Sequence, residues 1–384
     1  MTQSSLTFGG GLIFDGANLL EKHVARFEDA KLIAVEREDR WPPSGNHVDL
    51  GGDILSPGYV DLQVNGGDGI MFNADPSVHT IARIAQAHRR LAATAILPTL
   101  ITDTPDKTRA AIGAAIDAVG QGVPGVAGLH LEGPHLSIAR KGAHDAALIR
   151  PMEAQDLAAL LEAAAQLPAL MVTIAPENVT QEQVSALAAA GVIVSLGHTD
   201  TDYATCLSYA RAGARCATHL FNAMSPLGNR EPGVVGAVLA SGALSSGLIA
   251  DGIHVHPATM RAAWDAKTGP GEIFLVSDAM AVAGTDETQF DLEGRRISRL
   301  DGRLTLEDGT LAGADLDLTR ALHVMVNQVG VSLERALAAA TRAPRQMLQL
   351  APRIAPGTTT LGDMIRIRSD LSAAAPVQDA PITP

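Results

Sequence analysis

The chain has 384 residues, of which 46% are hydrophobic and only 3% aromatic, and its formal net charge is −13 at pH 7. That length exceeds one small domain and fits a large α/β barrel with a modest appendage. The acidic balance argues against nucleic acid or an anionic membrane as a partner, while leaving room for a local basic pocket that takes an anionic substrate.

From the N-terminus, no basic start followed by a long apolar run marks a secretory signal. No uninterrupted apolar stretch of about 18 residues marks a membrane span. Cys206 and Cys216 lack CxxC spacing and fit reduced thiols in a cytoplasmic protein. Residues 5–55 read as short strands broken by glycine and acidic turns (LTFGGGLIFDG, HVARFEDAKLIAVE, HVDLGGDILSPG). Turn signals about every ten residues predict a small β-sandwich over residues 1–56.

From residue 57 the texture changes. Eight apolar strand candidates follow: YVDLQVN, ATAILPTL, VAGLHLEG, ALMVTIAPE, VIVSLGHT, CATHLFNA, SGLIADG and EIFLVSDAM. Helix-length stretches such as VHTIARIAQAHRRLAA and EAQDLAALLEAAAQL lie between most of them. Near-continuous apolar strands with helical crossovers predict a parallel sheet closed into a (β/α)8 TIM-type barrel over residues 57–352. Residues 286–312 (FDLEGRRI, GRLTLEDGTLAG) predict a β-hairpin insertion. GTTTLGDMIRIRSD, within residues 353–371, returns a strand to the β-sandwich, and the Ala- and Pro-rich residues 372–384 are expected to be disordered.

Active-site side chains of such barrels come from the C-terminal strand ends. Strand one holds Asp61, Gln63 and Asn65 where many metal-dependent hydrolases have Asp-x-His-x-His. Strand three ends in HLEGPH with Glu132, strand five in LGHTD with His198, strand six in THLFNAM with His219, and strand eight in VSDAM with Asp278. Two imidazoles and one carboxylate make the ligand set of a catalytic Zn²⁺ with a position left for water. Glu132, His198 and His219 are therefore the expected ligands, and Asp278 is left over to act as base. Neutral amides at Gln63 and Asn65 cannot replace imidazole ligands, which favours one tight metal ion over two.

The stretches PGYVDLQVNGG, GLHLEGPHLS followed by KGAH, IAPE, LGHT, THLFNAMSPL, REPGVVGA, IADGIHVHP, LVSDAMAVAG and LAGA occur in that order over residues 57–314. In them the sequence resembles the N-acetylglucosamine-6-phosphate deacetylase family of the amidohydrolase superfamily. The resemblance implies one divalent metal per chain on Glu132, His198 and His219, Zn²⁺ first and Fe²⁺ as the alternative. It implies catalysis by Asp278 with His144 at the oxyanion. It implies substrate contacts from Gln63, Ala143, His144, Asn222, Ala223 through its backbone, Arg230, His254 and Leu311. It also implies a homodimer in which Arg230 reaches the neighbouring active site. The implied reaction hydrolyses the acetamide of N-acetyl-D-glucosamine 6-phosphate, in amino-sugar catabolism or cell-wall sugar recycling. His135, where the family usually has an aromatic residue, and LAGADLDL depart from the pattern and bear on the sugar pocket. The C-terminal GDMIRI, another departure, bears on the β-sandwich.

Three alternatives stand beside this expectation. One is another N-acetylhexosamine 6-phosphate, such as the galactosamine epimer, as substrate. A cyclic-amide hydrolase would favour His-x-His on strand one and a bridging lysine. A non-enzymatic sugar-phosphate sensor would not need the set Glu132, His198, His219 and Asp278.

Overall fold

The computed structural model describes residues 5–378 except 41–45, 293 and 351–353. Eight parallel strands form its centre: β1 (Tyr59–Val64), β2 (Ala93–Ile101), β3 (Leu129–Glu132), β4 (Leu170–Ile174), β5 (Ile193–Leu196), β6 (Cys216–Ala217), β7 (Ser245–Leu248) and β8 (Ile273–Leu275). They pair in sequence order. The ring closes just past the strand ends, where Val64 bridges Ala279 in parallel, Asp278 N donates to Gln63 O at 3.0 Å and Asn65 N donates to Ala279 O at 2.9 Å. All eight strands anticipated from the sequence are present in this sheet.

Helices α1 (Val78–Arg90), α2 (Pro105–Gly120), α3 (Ala154–Ala164), α4 (Gln181–Ala189), α5 (Tyr203–Ala212), α6 (Gly233–Ala240), α7 (Pro257–Ala266) and α8 (Leu318–Asn327) follow the strands one by one. Their starts are written in the sequence. Ser77, Thr104, Thr180, Asp202 and Asp317 each cap a helix by accepting a backbone N–H, satisfying donors that the helix leaves orphaned. The main core lies between barrel and helices and is built from small and branched aliphatics. That is how a chain with so few aromatics still fills its interior.

The N-terminal strands form two sheets. One orders Lys31–Arg37, His23–Glu28, Ser5–Gly9 and Asn46–Asp49; the other orders Ala374–Pro376, Met364–Ile367, Ile54–Pro57, Leu12–Phe14 and Leu19–Leu20. They share an apolar core including Phe8, Ile13, Phe27, Leu32, Leu55 and Met364. Two details differ from expectation. Ala374–Pro376, expected to be disordered, pairs antiparallel with Met364–Ile367. A free edge strand supplied partners for a short segment whose composition alone suggested none. Residues 379–384 lie outside the described residues. The insertion is also more than a hairpin. Gln289–Leu292, Arg295–Leu300, Arg303–Thr305 and Leu311–Ala314 form a four-stranded antiparallel sheet, because Asp-Gly turns at 301–302 and 308–309 each reverse the chain again. Its apolar face packs Leu292, Ile297, Leu304 and Ala312 against Met71, Ile101 and Met280 beside the barrel mouth.

Candidate active site

The strand-end residues converge. Glu132 closes β3, His198 and His219 lie two residues beyond β5 and β6, and Asp278 lies three beyond β8. Glu132 Oε1 is 3.2 Å from His198 Nε2 and 3.1 Å from His219 Nε2, and the two Nε2 atoms are 3.1 Å apart. One ligand atom from each of the three residues lies within 4.8 Å of the others, a grouping that could hold a metal ion. His198 Nδ1–H donates to Arg140 O at 2.9 Å, which leaves Nε2 as the ligand atom. The donor set is two imidazoles and a carboxylate, so these residues fit a Zn²⁺-type ion.

Charge follows from burial. Burial opposes ionisation of Glu132, but the His198 and His219 rings against its Oε1 outweigh it and hold its carboxyl well below the usual range. Burial likewise disfavours a charged His219, yet its bond to Glu132 raises its pKa. A cation competes with that proton, so its uptake weakens in acid. Burial and the neighbouring Glu132 charge push Asp278 up to about 6, the property of a group poised to take and return a proton. Burial, helped by His198, pushes His144 down to about 3. Thr102 N–H donates to His144 Nδ1 at 3.3 Å, and Thr102 Oγ1 lies 2.8 Å from the same nitrogen; with Nδ1 accepting from Thr102, the neutral ring carries its proton on Nε2.

These groups line a cleft of about 270 Å³ with Asn65, Ala143, Asn222, Ala223, His254, Leu311 and Gly313. The larger cavity, about 530 Å³, lies by the N-terminal end of β8 among Trp264, Lys267 and Arg342 and holds none of them. Active-site chemistry belongs at the C-terminal strand ends, so the smaller cleft is the candidate. Gln63 sits beneath it, donating to both Glu132 Oε1 and Asp278 Oδ1 at 3.1 Å. Arg230 is different: it is exposed on the loop after β6 and does not line its own chain's cleft. His135 turns away as well, with Nδ1 bonded to Arg150 O at 3.0 Å and Nε2 4.0 Å from Asp156, so this departure from the family pattern does not touch the cleft. His130 is a core residue bonded to Leu62 O and Thr173 Oγ1.

Sequence reasoning missed two supporting residues, Thr102 and Asp251, and the role of a third, Asn65. Thr102 sets the His144 tautomer. Asn65 donates to Asp278 Oδ1 at 2.7 Å. Asp251 Oδ2 accepts from His254 Nδ1 at 2.6 Å, while its Oδ1 takes the backbone N–H groups of Ile253 and His254. The available signal was spacing, for Asp251 stands three residues before His254 in IADGIHVHP.

Comparison with known proteins places this arrangement. The family model described as Amidohydrolase family matches residues 54–359. The chain belongs to the amidohydrolase family. Among curated amidohydrolase relatives, the N-acetylgalactosamine-6-phosphate deacetylase of Shewanella sp. (strain ANA-3) is 39% identical over 350 residues, spanning 91% of this chain and 88% of that protein. The N-acetylglucosamine-6-phosphate deacetylase of Haemophilus influenzae is 33% identical over 310 residues, 80% of each chain. The crystal structure of N-acetylglucosamine-6-phosphate deacetylase from Pasteurella multocida superposes with a TM-score of 0.89 at 30% identity, covering 96% of this chain and 97% of that one.

Proposed function

We propose that this amidohydrolase is a metal-dependent deacetylase that converts N-acetyl-D-glucosamine 6-phosphate and water to D-glucosamine 6-phosphate and acetate. The observation that carries the reading is the convergence of Glu132, His198, His219 and Asp278 on one cleft, in a chain whose similar relatives are named as deacetylases of such sugars.

Glu132, His198 and His219 would hold one divalent ion, Zn²⁺ first and Fe²⁺ as the alternative. Such an ion lowers the pKa of a water towards about 7 and polarises an amide carbonyl. Asp278 takes the proton of the attacking water and then returns it to the nitrogen as the C–N bond breaks. His144, a neutral imidazole with its proton on Nε2, donates to the oxygen on which negative charge develops. Asn222, His254 and the Ala223 N–H supply donors for the sugar phosphate within the cleft. Arg230 lies outside its own chain's cleft, so we assign its planar fork to the phosphate held by the second subunit of a homodimer. Among the described residues no helix is long and apolar enough to cross a membrane, and Cys206 and Cys216 are buried free thiols, which fits the cytoplasm.

The galactosamine epimer is the second reading, favoured by the 39% identical relative that bears its name. Acetate release from N-acetylglucosamine, its 6-phosphate and N-acetylgalactosamine 6-phosphate, with and without added Zn²⁺, decides. Preference for the glucosamine phosphate supports the first reading and preference for its epimer the second. No acetate from either phosphate, with metal bound, removes both.

A further inference from the structure

We propose that Asn65 and Gln63 are positioning residues that select which oxygen of Asp278 takes the proton, an inference that rests on the deacetylase reading above. Alternation along a strand puts Asp61, Gln63 and Asn65 on one face of β1 and its extension. All three are buried, at 1%, 2% and 1% exposure. Where a second pair of imidazole ligands would be expected in a two-metal barrel, this face is turned mainly to the segment after β8, with one bond from Gln63 to Glu132 on β3. The Asp61 carboxylate accepts Ser277 N–H, Gln63 O accepts Asp278 N–H, and the two amides reach the Asp278 carboxylate itself.

The two amides meet the same oxygen. Asn65 Nδ2 lies 2.7 Å and Gln63 Nε2 3.1 Å from Asp278 Oδ1. Among the described residues no hydrogen bond reaches Oδ2, and Asp278 lines the cleft. Hydrogen bonds to one oxygen of a carboxylate stabilise negative charge there and make it the poorer proton acceptor. Oδ2 is thereby left as the basic oxygen, with its plane fixed by two donors. Gln63 does a second thing: its two N–H bonds go to two different anions, Glu132 and Asp278. A neutral imidazole has one N–H and cannot make both. The amide thus bridges two like charges without adding a charge of its own. Among the described residues Asn65 Oδ1 has no hydrogen-bond partner, so a buried amide here is not accounted for by packing.

The test measures kcat, KM and bound metal for wild type, Asn65→Ala, Asn65→Asp and Asn65→Leu on N-acetyl-D-glucosamine 6-phosphate and its galactosamine epimer. Asn65→Ala should lower kcat about 10-fold, a part of the roughly 10²–10⁴-fold that a general base supplies in all, with KM changed less than about threefold and metal content intact. Asn65→Asp matches the native volume but has no donor for Oδ1 when ionised, and when protonated it ties up the base in a shared proton. It should therefore be slower than Asn65→Ala. A residue that only fills space would tolerate Asn65→Leu, which keeps the volume and removes the donor without adding a charge, and wild-type kcat in that variant overturns the proposal. If Asn65→Ala fails to fold, Asn65→Asp alone decides, since wild-type kcat in it is incompatible with the clamp. Wild type that is inactive on both sugars with a full metal complement overturns the deacetylase reading and the inference together. Active wild type with an equally active Asn65→Asp overturns the inference alone.

Discussion

Replacing Asp251 by asparagine isolates one charge in the cleft. The Asp251 side chain is fully enclosed, and its Oδ2 holds His254 Nδ1 at 2.6 Å. Its Oδ1 accepts two backbone N–H groups at 2.8 Å each, a job the asparagine carbonyl can keep. What changes is the partner of the ring. Asp251 accepts Nδ1–H, so His254 offers the cleft a donor at Nε2 only as an imidazolium, balanced by the buried carboxylate. Burial disfavours the charged Asp251, but the His254 bond outweighs it and lowers its pKa. The asparagine NH₂ instead donates to Nδ1, which moves the ring proton to Nε2 and removes the counter-charge. A neutral donor then replaces a charged one. Hydrogen bonds to charged groups are worth about 1.5–3 kcal/mol, and the phosphate stays charged in both cases, so the loss is at most the width of that range. Up to about 1.5 kcal/mol corresponds to up to about 10-fold in kcat/KM.

The loss should appear in KM for the 6-phosphate and shrink on the unphosphorylated sugar. Steady-state kinetics on both sugars for Asp251→Asn, His254→Asn and the double variant make the measurement. The double variant should be no worse than His254→Asn, because the two residues act as one unit. A fall in kcat at constant KM would place His254 at the reacting atoms and refute the phosphate reasoning. A fully folded Asp251→Asn within twofold of wild type would refute the pairing itself.

Four further outcomes are expected. Asp278→Asn should keep its metal and lose at least about 10²-fold in kcat, because an amide cannot accept the proton. In wild type, Asp278 is raised to about 6 and works only when ionised, so kcat/KM should fall as pH drops through that value, or somewhat lower once a cation's charge draws it down; a flat profile to about pH 4.5 contradicts the base assignment. Elemental analysis should find one tightly held divalent ion per chain, since the described residues contain one three-residue ligand group, and two chelation-resistant equivalents would reject this. Co-expression of Asp278→Asn with Arg230→Ala should restore activity in mixed dimers if Arg230 serves the neighbouring cleft, because one site of each dimer then carries neither lesion; a verified mixed dimer without rescue excludes the shared site.

The eight barrel strands were legible because strands buried on both faces must be apolar along their whole length, so each stands out against Ala-rich helices. Glu132, His198, His219 and Asp278 were legible for the complementary reason. Each is a polar break where an apolar strand ends, a place where an unpartnered charge would be costly without a use. Asn65 and Asp251 were not legible in the same way. Both serve another side chain, and nothing in a one-dimensional pattern says that an amide on β1 meets a carboxylate 213 positions later. His135 misled because its neighbours in sequence belong to the site, while the chain turns it back against Arg150 and Asp156. The strand at Ala374–Pro376 escaped because pairing there depends on an edge offered by Met364–Ile367, not on its own propensity.

Neither reading from sequence predicts the backbone at the site. His198, His219, Ala223 and Asp278 all have positive φ, between 31° and 51°, although none is glycine. Such conformations cost of order 1–3 kcal/mol each and persist only where the surroundings over-determine them. Here they do. Ser137 N–H bonds His198 O, Asn222 N–H bonds His219 O, Thr199 N–H bonds Ala223 O, and Asp278 is tied at both ends, to Gln63 O and by Ala314 N. The strain summed over four residues is comparable to the whole net stability of an ordinary domain. A fold selected for stability alone would relax these positions to glycine or to extended backbone. Their occurrence at the three strand ends that our reading makes ligands and base, and at the residue whose N–H faces the phosphate in that reading, argues that the barrel's rigidity holds those groups in place. Little reorganisation is then left for the reaction to supply.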